Sequence, residues 1–239
     1  ADESLETESK VKLEDFLKKW FLGYLNDILG DLINLTKQKI QNQYLRALVF
    51  QLYEKNGVIK RAEIDNIVKL IPQNERKKLW GMGIKIGRYH VYLPKMLKPK
   101  AVEFRVSLWK IYHSQDNGEK IPKSGLNFIN NKNYEKKFLL LCGFENFKEF
   151  FIRIDILEKL FIKILNNTKD RKFKINAEMM NLLGCTKDNF YKLMSLMNYK
   201  KDRDKDTYIF KGEKKKISKI IKFDKKENPF KKLLSLNLK

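Results

Sequence analysis

Residues 81–113 read GMGIKIGRYHVYLPKMLKPKAVEFRVSLWKIYH. Apolar side chains alternate at Ile84, Ile86, Tyr89, Val91 and Leu93 around Gly87-Arg88, the period-two pattern of two antiparallel strands joined by a turn. Pro99 then stands where a first-turn proline belongs, and the helix it opens carries Val102, Phe104, Val106, Leu108, Trp109, Ile111 and Tyr112. A helix so apolar on nearly all sides is expected at the centre of the fold. Upstream, 44–53 is apolar at Leu45, Leu48, Val49 and Leu52 and ends at Asn56-Gly57. Ile64, Ile67, Val68 and Ile71 mark a second helix, and Pro72 opens a third through Trp80-Gly81. Three helices followed by a hairpin is the element order of a winged helix.

The same logic runs outward in both directions. Leu13, Phe16, Leu17, Trp20, Phe21, Tyr24, Leu25, Ile28 and Leu29 fit the i, i+3, i+4, i+7 template of a long amphipathic helix, with Gly30 as its expected stop. Residues 114–134, with Gly118, Pro122 and Gly125 and no sustained period, read as a linker. A helix follows over 154–165, where Asp155 and Glu158 have the form of a capping box. Further on, Asn176 can cap a helix through Leu183, Gly184 can end it in the left-handed region, and Thr186 can cap another through Met197. That is a helix-turn-helix pattern. The run YKKDRDKDTYIFKG, 199–212, regains strand character at Tyr208-Ile209-Phe210, as a wing hairpin would. The fold expected is therefore mainly α, a helical bundle with winged-helix-like units carrying short β-hairpins. Its divisions are a helical domain over 1–113 with a hairpin near 84–93, the linker 114–134, a winged-helix-like domain over 135–211 and a basic tail over 212–239.

Several short motifs resemble one family. Gly83 to Gly87 with its alternating Ile residues, the strand from Val91 to Pro94, Leu97-Lys98-Pro99 and Leu108-Trp109 look like a segment of the accessory C-terminal region of bacterial superfamily 2 helicases related to the mitochondrial degradosome RNA helicase. Arg153-Ile154-Asp155-Ile156-Leu157-Glu158 and Met179-Met180-Asn181-Leu182-Leu183-Gly184-Cys185 follow in the family's order. The matches span roughly 40–200. The resemblance implies an accessory part of an ATP-dependent RNA helicase that holds single-stranded RNA beside motor domains in cis. ATP and magnesium would then belong to that motor: no Gly-Lys dipeptide of a phosphate-cradling loop occurs here, so no cofactor is expected in this chain. A stand-alone winged-helix DNA-binding protein, a replication initiator or transcription regulator, would share the same charge and helix-turn-helix.

Charge points to the partner. Lys and Arg number 51 against 29 Asp and Glu, a formal net charge of +22, which implies a polyanion. Its distribution is uneven: residues 1–31 hold four lysines and eight acids, 200–239 fifteen bases and six acids. The acidic first helix is a candidate for protein contact. The candidate nucleic-acid contacts are Lys187, Lys192, Lys200, Lys201, Arg203 and Lys205 on the second helix of the helix-turn-helix and its wing, with Lys85, Arg88, Lys95 and Lys98 framing the earlier hairpin. Such side chains neutralise phosphates without reading sequence. Cys142 and Cys185 lack CxxC spacing, and His90 and His113 have no partnering ligand or nucleophile signature, so neither a metal site nor a catalytic one is expected. With no apolar run approaching the ~18 residues of a membrane span and no signal-peptide pattern in ADESLETESK, a cytoplasmic protein without membrane contact is expected.

Overall fold

A computed structural model describes residues 7–113, 120–130, 134–202 and 206–209. The chain is mainly helical with small antiparallel sheets. Its elements, in order, are α1 (Thr7–Lys37), α2 (Gln43–Glu54), β1 (Val58–Lys60), α3 (Arg61–Leu70), α4 (Gln73–Gly81), β2 (Lys85–Ile86), β3 (His90–Tyr92), a 3-10 turn (Pro94–Leu97) and α5 (Pro99–His113). Then come β4 (Phe128–Asn130), α6 (Lys136–Leu141), β5 (Phe144–Phe147), β6 (Phe150–Arg153), α7 (Ile154–Asn166), β7 (Thr168–Lys169) and β8 (Lys172–Lys174). The described chain closes with α8 (Ala177–Leu183), α9 (Lys187–Leu196), β9 (Lys200–Lys201) and β10 (Thr207–Ile209).

One element order occurs twice. In the first unit, α2-β1-α3-α4-β2-β3 forms a sheet ordered β1-β3-β2; in the second, α7-β8-α8-α9-β9-β10 forms the order β8-β10-β9, with β7 added at its edge. The register pairs Val58 with Tyr92 and Ile59 with Val91 in the first, and Tyr208 with Phe173 in the second. Each unit closes over its own core. Leu45, Leu48, Leu52, Ile64, Val68 and Leu79 fill the first, and Leu157, Leu160, Phe173, Phe190, Leu193 and Met194 the second. The caps expected in the second unit form: Asn176 Oδ1 accepts from the Met179 N–H at 3.0 Å, Gly184 takes φ 68°, and Thr186 Oγ1 accepts from the Asn189 N–H at 3.4 Å.

Between the units lies a third layer. β4, β5 and β6 form a sheet ordered β4-β6-β5, so the far end of the stretch read as a linker is a strand, Phe128–Asn130. With α6 it covers α5, where Val102 and Val106 meet Phe138, Leu139 and Phe151. Arg105, in the middle of α5, is buried. Its guanidinium donates to the carbonyls of Asn56, Met96 and Leu141 at 2.7–3.0 Å, tying the first unit to the layer. Burial pulls its pKa down to about 10, so it stays charged at neutral pH. The central position expected for α5 holds for this face alone; Leu108 and Ile111 near its end are exposed.

Two local expectations give way to tertiary packing. Helix α1 continues through Gly30 to Lys37, because Leu29, Leu32 and Leu35 bury on the first unit and favour helix beyond the glycine. Asp155 and Glu158 form no capping box. Arg153 occupies the cap position of α7 and holds Asp155 at 2.6 Å, and Glu158 is buried against the first unit.

Glu158 fixes how the units meet. Its carboxylate accepts three consecutive N–H groups of the β2–β3 turn: Arg88 at 2.6 Å, Tyr89 at 2.8 Å and His90 at 2.9 Å. A carboxylate in such a row of amides makes charge-assisted hydrogen bonds. Gly87 lets it approach, since a Cβ there would collide with the carboxylate. The Tyr89 ring packs edge-on against Phe147 and Phe161, and the Arg88 guanidinium lies 5.7 Å from the Phe161 centroid. On the next residue, His90 Nε2 lies 2.7 Å from Glu145 Oε2, and Lys60 Nζ donates to Glu145 Oε1 at 2.6 Å. His90 Nδ1 faces Glu158 Oε1 at 3.8 Å.

Burial alone would push the His90 pKa down, but the hydrogen bond to Glu145 and the adjacent Glu158 prevail and hold it above its ordinary 6.5. Burial likewise opposes charge on Glu145, and the bonds from His90 and Lys60 outweigh it, keeping that carboxyl below its ordinary 4.5. Stability from the raised imidazole is complete below the unfolded value near 6.5 and is lost as pH rises through the folded value. Stability from Glu145 is present above 4.5 and is lost as pH falls through its folded value. The unfolding free energy should therefore fall as pH rises above about 6.5, and His90→Gln should flatten that fall in denaturant titrations; an unchanged slope would contradict the assignment. Separately, Glu158→Ala strands three N–H donors and should cost roughly 3–5 kcal/mol, the scale for breaking a buried charged pair. Thermal unfolding should show a drop of roughly 6–20 °C at the ~2–4 °C per kcal/mol of a chain this size.

Candidate nucleic-acid interface

Helix α9 is built to present one polar face. Phe190, Leu193 and Met194 bury in the second core, which leaves Lys187, Asp188, Lys192 and Ser195 exposed. Strand β9 brings Lys200 and Lys201 beside it, both exposed. Between them stands Tyr191, with the Lys187 and Lys201 ammonium groups 5.5 and 5.6 Å from its ring centroid. Its hydroxyl donates to Asp206, which also lies 3.6 Å from Lys187 Nζ. Its bond from Tyr191 and the neighbouring Lys187 hold the Asp206 carboxyl below its usual range, while the Tyr191 hydroxyl and Asp206 raise the pKa of Lys187. The outcome is a fixed cationic edge on which two ammonium groups are positioned over one aromatic ring.

The expected contacts separate into two sets. Lys187, Lys192, Lys200 and Lys201 share the α9–β9 edge. Arg203 and Lys205 lie outside the described residues, as do 210–239, which include the basic tail. Of the four around the first hairpin, Lys85, Lys95 and Lys98 are exposed, Lys95 also pairing with Asp31 of α1 at 2.8 Å, and Arg88 is drawn against Phe161. The first hairpin therefore spends its turn on the second unit.

The counterpart of α9 in the first unit is α4, which sequence reasoning left without a role. It is strongly polar, QNERKKLWG, and buries Leu79 in the first core. Arg76 turns inward, donating to the carbonyls of Val68 at 3.1 Å and Ile71 at 3.2 Å and so closing the end of α3. Gln73, Asn74 and Lys77 are exposed, Lys78 pairs with Glu75 at 2.7 Å, and Trp80 is 73% exposed. An exposed tryptophan on an otherwise polar helix was the sequence signal available, since the hydrophobic stripe of α4 has no place for it.

Among the described residues no group of three His, Cys, Asp or Glu is placed to hold a metal ion. No described helix is long and apolar enough to cross a membrane. No characterised family, curated protein or solved structure matches the chain.

Proposed function

We propose that this protein binds duplex nucleic acid, as a DNA-binding protein with two winged-helix-like units joined in one frame. The observation that carries the reading is the repeated order helix-strand-helix-helix-hairpin, in which the third helix of each unit, α4 and α9, buries a narrow apolar edge and exposes polar and basic side chains. A helix of this kind can enter a major groove, with phosphate contacts setting its register. The formal charge of +22 supplies the non-specific attraction. Lys77 and Lys85 serve the first unit; Lys187, Lys192, Lys200 and Lys201 serve the second. Tying the first hairpin to Glu158 holds the two helices at one mutual orientation, which a continuous duplex site requires and a flexible single strand does not. Neither unit needs a cofactor for this work.

A second reading follows the helicase resemblance: an accessory region that holds single-stranded RNA beside a motor carrying ATP and magnesium. Trp80 favours it, because an exposed aromatic beside Lys77 suits base stacking. Fluorescence anisotropy with a random duplex, single-stranded DNA and single-stranded RNA separates the two. The duplex should bind tightest, with a log–log salt slope near −4 to −6 for roughly five or six phosphates. Lys77→Glu with Lys85→Glu, and Lys192→Glu with Lys201→Glu, should each weaken duplex binding at least tenfold, about 1.4 kcal/mol. Preference for single-stranded RNA, with Trp80→Ala the most damaging change, would transfer the proposal to the helicase reading.

A further inference from the structure

Asp31, Asn34, Leu35 and Gln38 recur at i, i+3, i+4 and i+7, so they share one face at the end of α1, Gln38 continuing it just past the last helical residue. Leu35 is buried in the first core, while Asn34 and Gln38 stay exposed. Together with the end of α4 this face lines an open cleft of about 360 Å³, inside the ~300–1,000 Å³ of small-molecule sites. Trp80 lines it from the α4 side and is 73% exposed. The backbone there is pinned: the Met82 N–H donates to the Lys78 carbonyl at 3.1 Å, the Gly83 N–H to the Trp80 carbonyl at 2.9 Å and the Ile84 N–H to the Leu79 carbonyl at 2.9 Å. Gly83 takes φ 77°, a conformation that suits glycine, and neither it nor Gly81 puts a side chain into the cleft.

The lining selects the class of ligand. Asp31 Oδ1 holds the Lys95 ammonium at 2.8 Å, so the one acid and the one base of the cleft offset each other. A free anion meets Asp31, a free cation meets Lys95, and a hydrocarbon leaves the polar side chains without partners. Trp80 offers an aromatic face for stacking, and the carboxamides of Asn34 and Gln38 each offer a donor and an acceptor, the combination that reads an adenine edge. A flat, neutral heteroaromatic ring satisfies all of these. Exposed lysines accompany both walls: Lys77 one turn before Trp80 on α4, and Lys37 and Lys39 on either side of Gln38 in sequence. They can neutralise phosphates flanking such a ring. We infer that the cleft between α1 and α4 binds a single unpaired nucleobase, stacked on Trp80 and hydrogen-bonded along its edge by Asn34 and Gln38. This rests on the reading of the chain as a nucleic-acid binder and goes beyond it, because a base still paired within a duplex cannot enter such a cleft.

The chain has three tryptophans, so Trp20→Phe with Trp109→Phe leaves Trp80 as the only fluorescent indole. Its emission and the affinity are followed with a duplex carrying one unpaired adenine, the same duplex with an abasic residue in that place, single-stranded oligoadenylate, and adenosine alone. The unpaired adenine should quench Trp80 and bind roughly fivefold tighter than the abasic duplex, at the low end of base–aromatic stacking. Quenching by the bulged duplex alone would identify an extruded base as the ligand, and equal quenching by oligoadenylate a base on a single strand. Asn34→Ala with Gln38→Ala, at two exposed positions, should bring the ratio of the two duplex affinities to about one with thermal unfolding unchanged. Trp80→Ala should abolish the same ratio and Trp80→Phe keep most of it. Duplexes that bind equally with no quenching by any probe, or a preference that survives Trp80→Ala, would overturn the inference. Quenching by adenosine while no oligonucleotide binds would overturn the nucleic-acid reading and leave the cleft as a nucleoside site.

Discussion

The carboxylate of Glu158, seated among the N–H groups of Arg88, Tyr89 and His90, is the constraint on which the rest of this molecule depends. A hairpin turn ordinarily lies at the surface. Here it is turned inward: Tyr89 enters the aromatic wall made by Phe147 and Phe161, and Arg61 of α3 grips the turn from behind, donating to the Gly87 carbonyl at 2.8 Å and, from its own N–H, to Tyr89 at 2.7 Å. The consecutive N–H groups of Arg88, Tyr89 and His90 and the carbonyls of Gly87 and Tyr89 thereby gain partners, which is the condition for burying them. The two units are bound through backbone amides rather than through interchangeable side chains, so their mutual orientation is set within hydrogen-bond tolerance.

Around this point a very basic protein concentrates several of its buried charges. Lys60, Glu145, His90 and Glu158 form a chain across β1, β5, β3 and α7. Networks of this kind specify a unique arrangement when every member is satisfied and destabilise it when one is lost. Arg105 plays the matching part on the opposite side, where three carbonyls from separate elements converge on one guanidinium. Together the two networks fix the middle layer to both units. Among the described residues, the surfaces these networks leave free include the faces of α4 and α9, the β9 edge and the exposed N-terminal half of α1.

What was legible in the sequence was local. Asn176, Gly184 and Thr186 act on backbone groups within four residues of themselves, and the ends of α8 and α9 follow from them. The hairpin at β2 and β3 was visible in its alternation. β1 was not, since Val58-Ile59-Lys60 is too short for a period and becomes a strand only by pairing with His90 to Tyr92. Glu158 was misleading for the same reason: three residues after Asp155 it has the spacing of a cap, while its true partners lie about 70 residues away. Nothing nearby in sequence reveals the partners of Lys95 and Arg88, which are Asp31 and the Phe161 ring. Of the candidate interface, the cluster on α9 and β9 was found from charge and helix-turn-helix spacing. The face of α4 was missed, although Trp80 marked it.

The proposed function rests on α4 and α9 being held as one body by the Glu158 contact, and the distance between them reports on this most directly. Spin labels at Lys77→Cys and Lys192→Cys, in a chain with Cys142 and Cys185 replaced by serine, would be measured by pulsed electron–electron resonance, diluted with unlabelled chain. The account predicts one narrow distance distribution that broadens when Glu158→Ala is added. A broad distribution in the chain with Glu158 intact, or a narrow one indifferent to its removal, would contradict it.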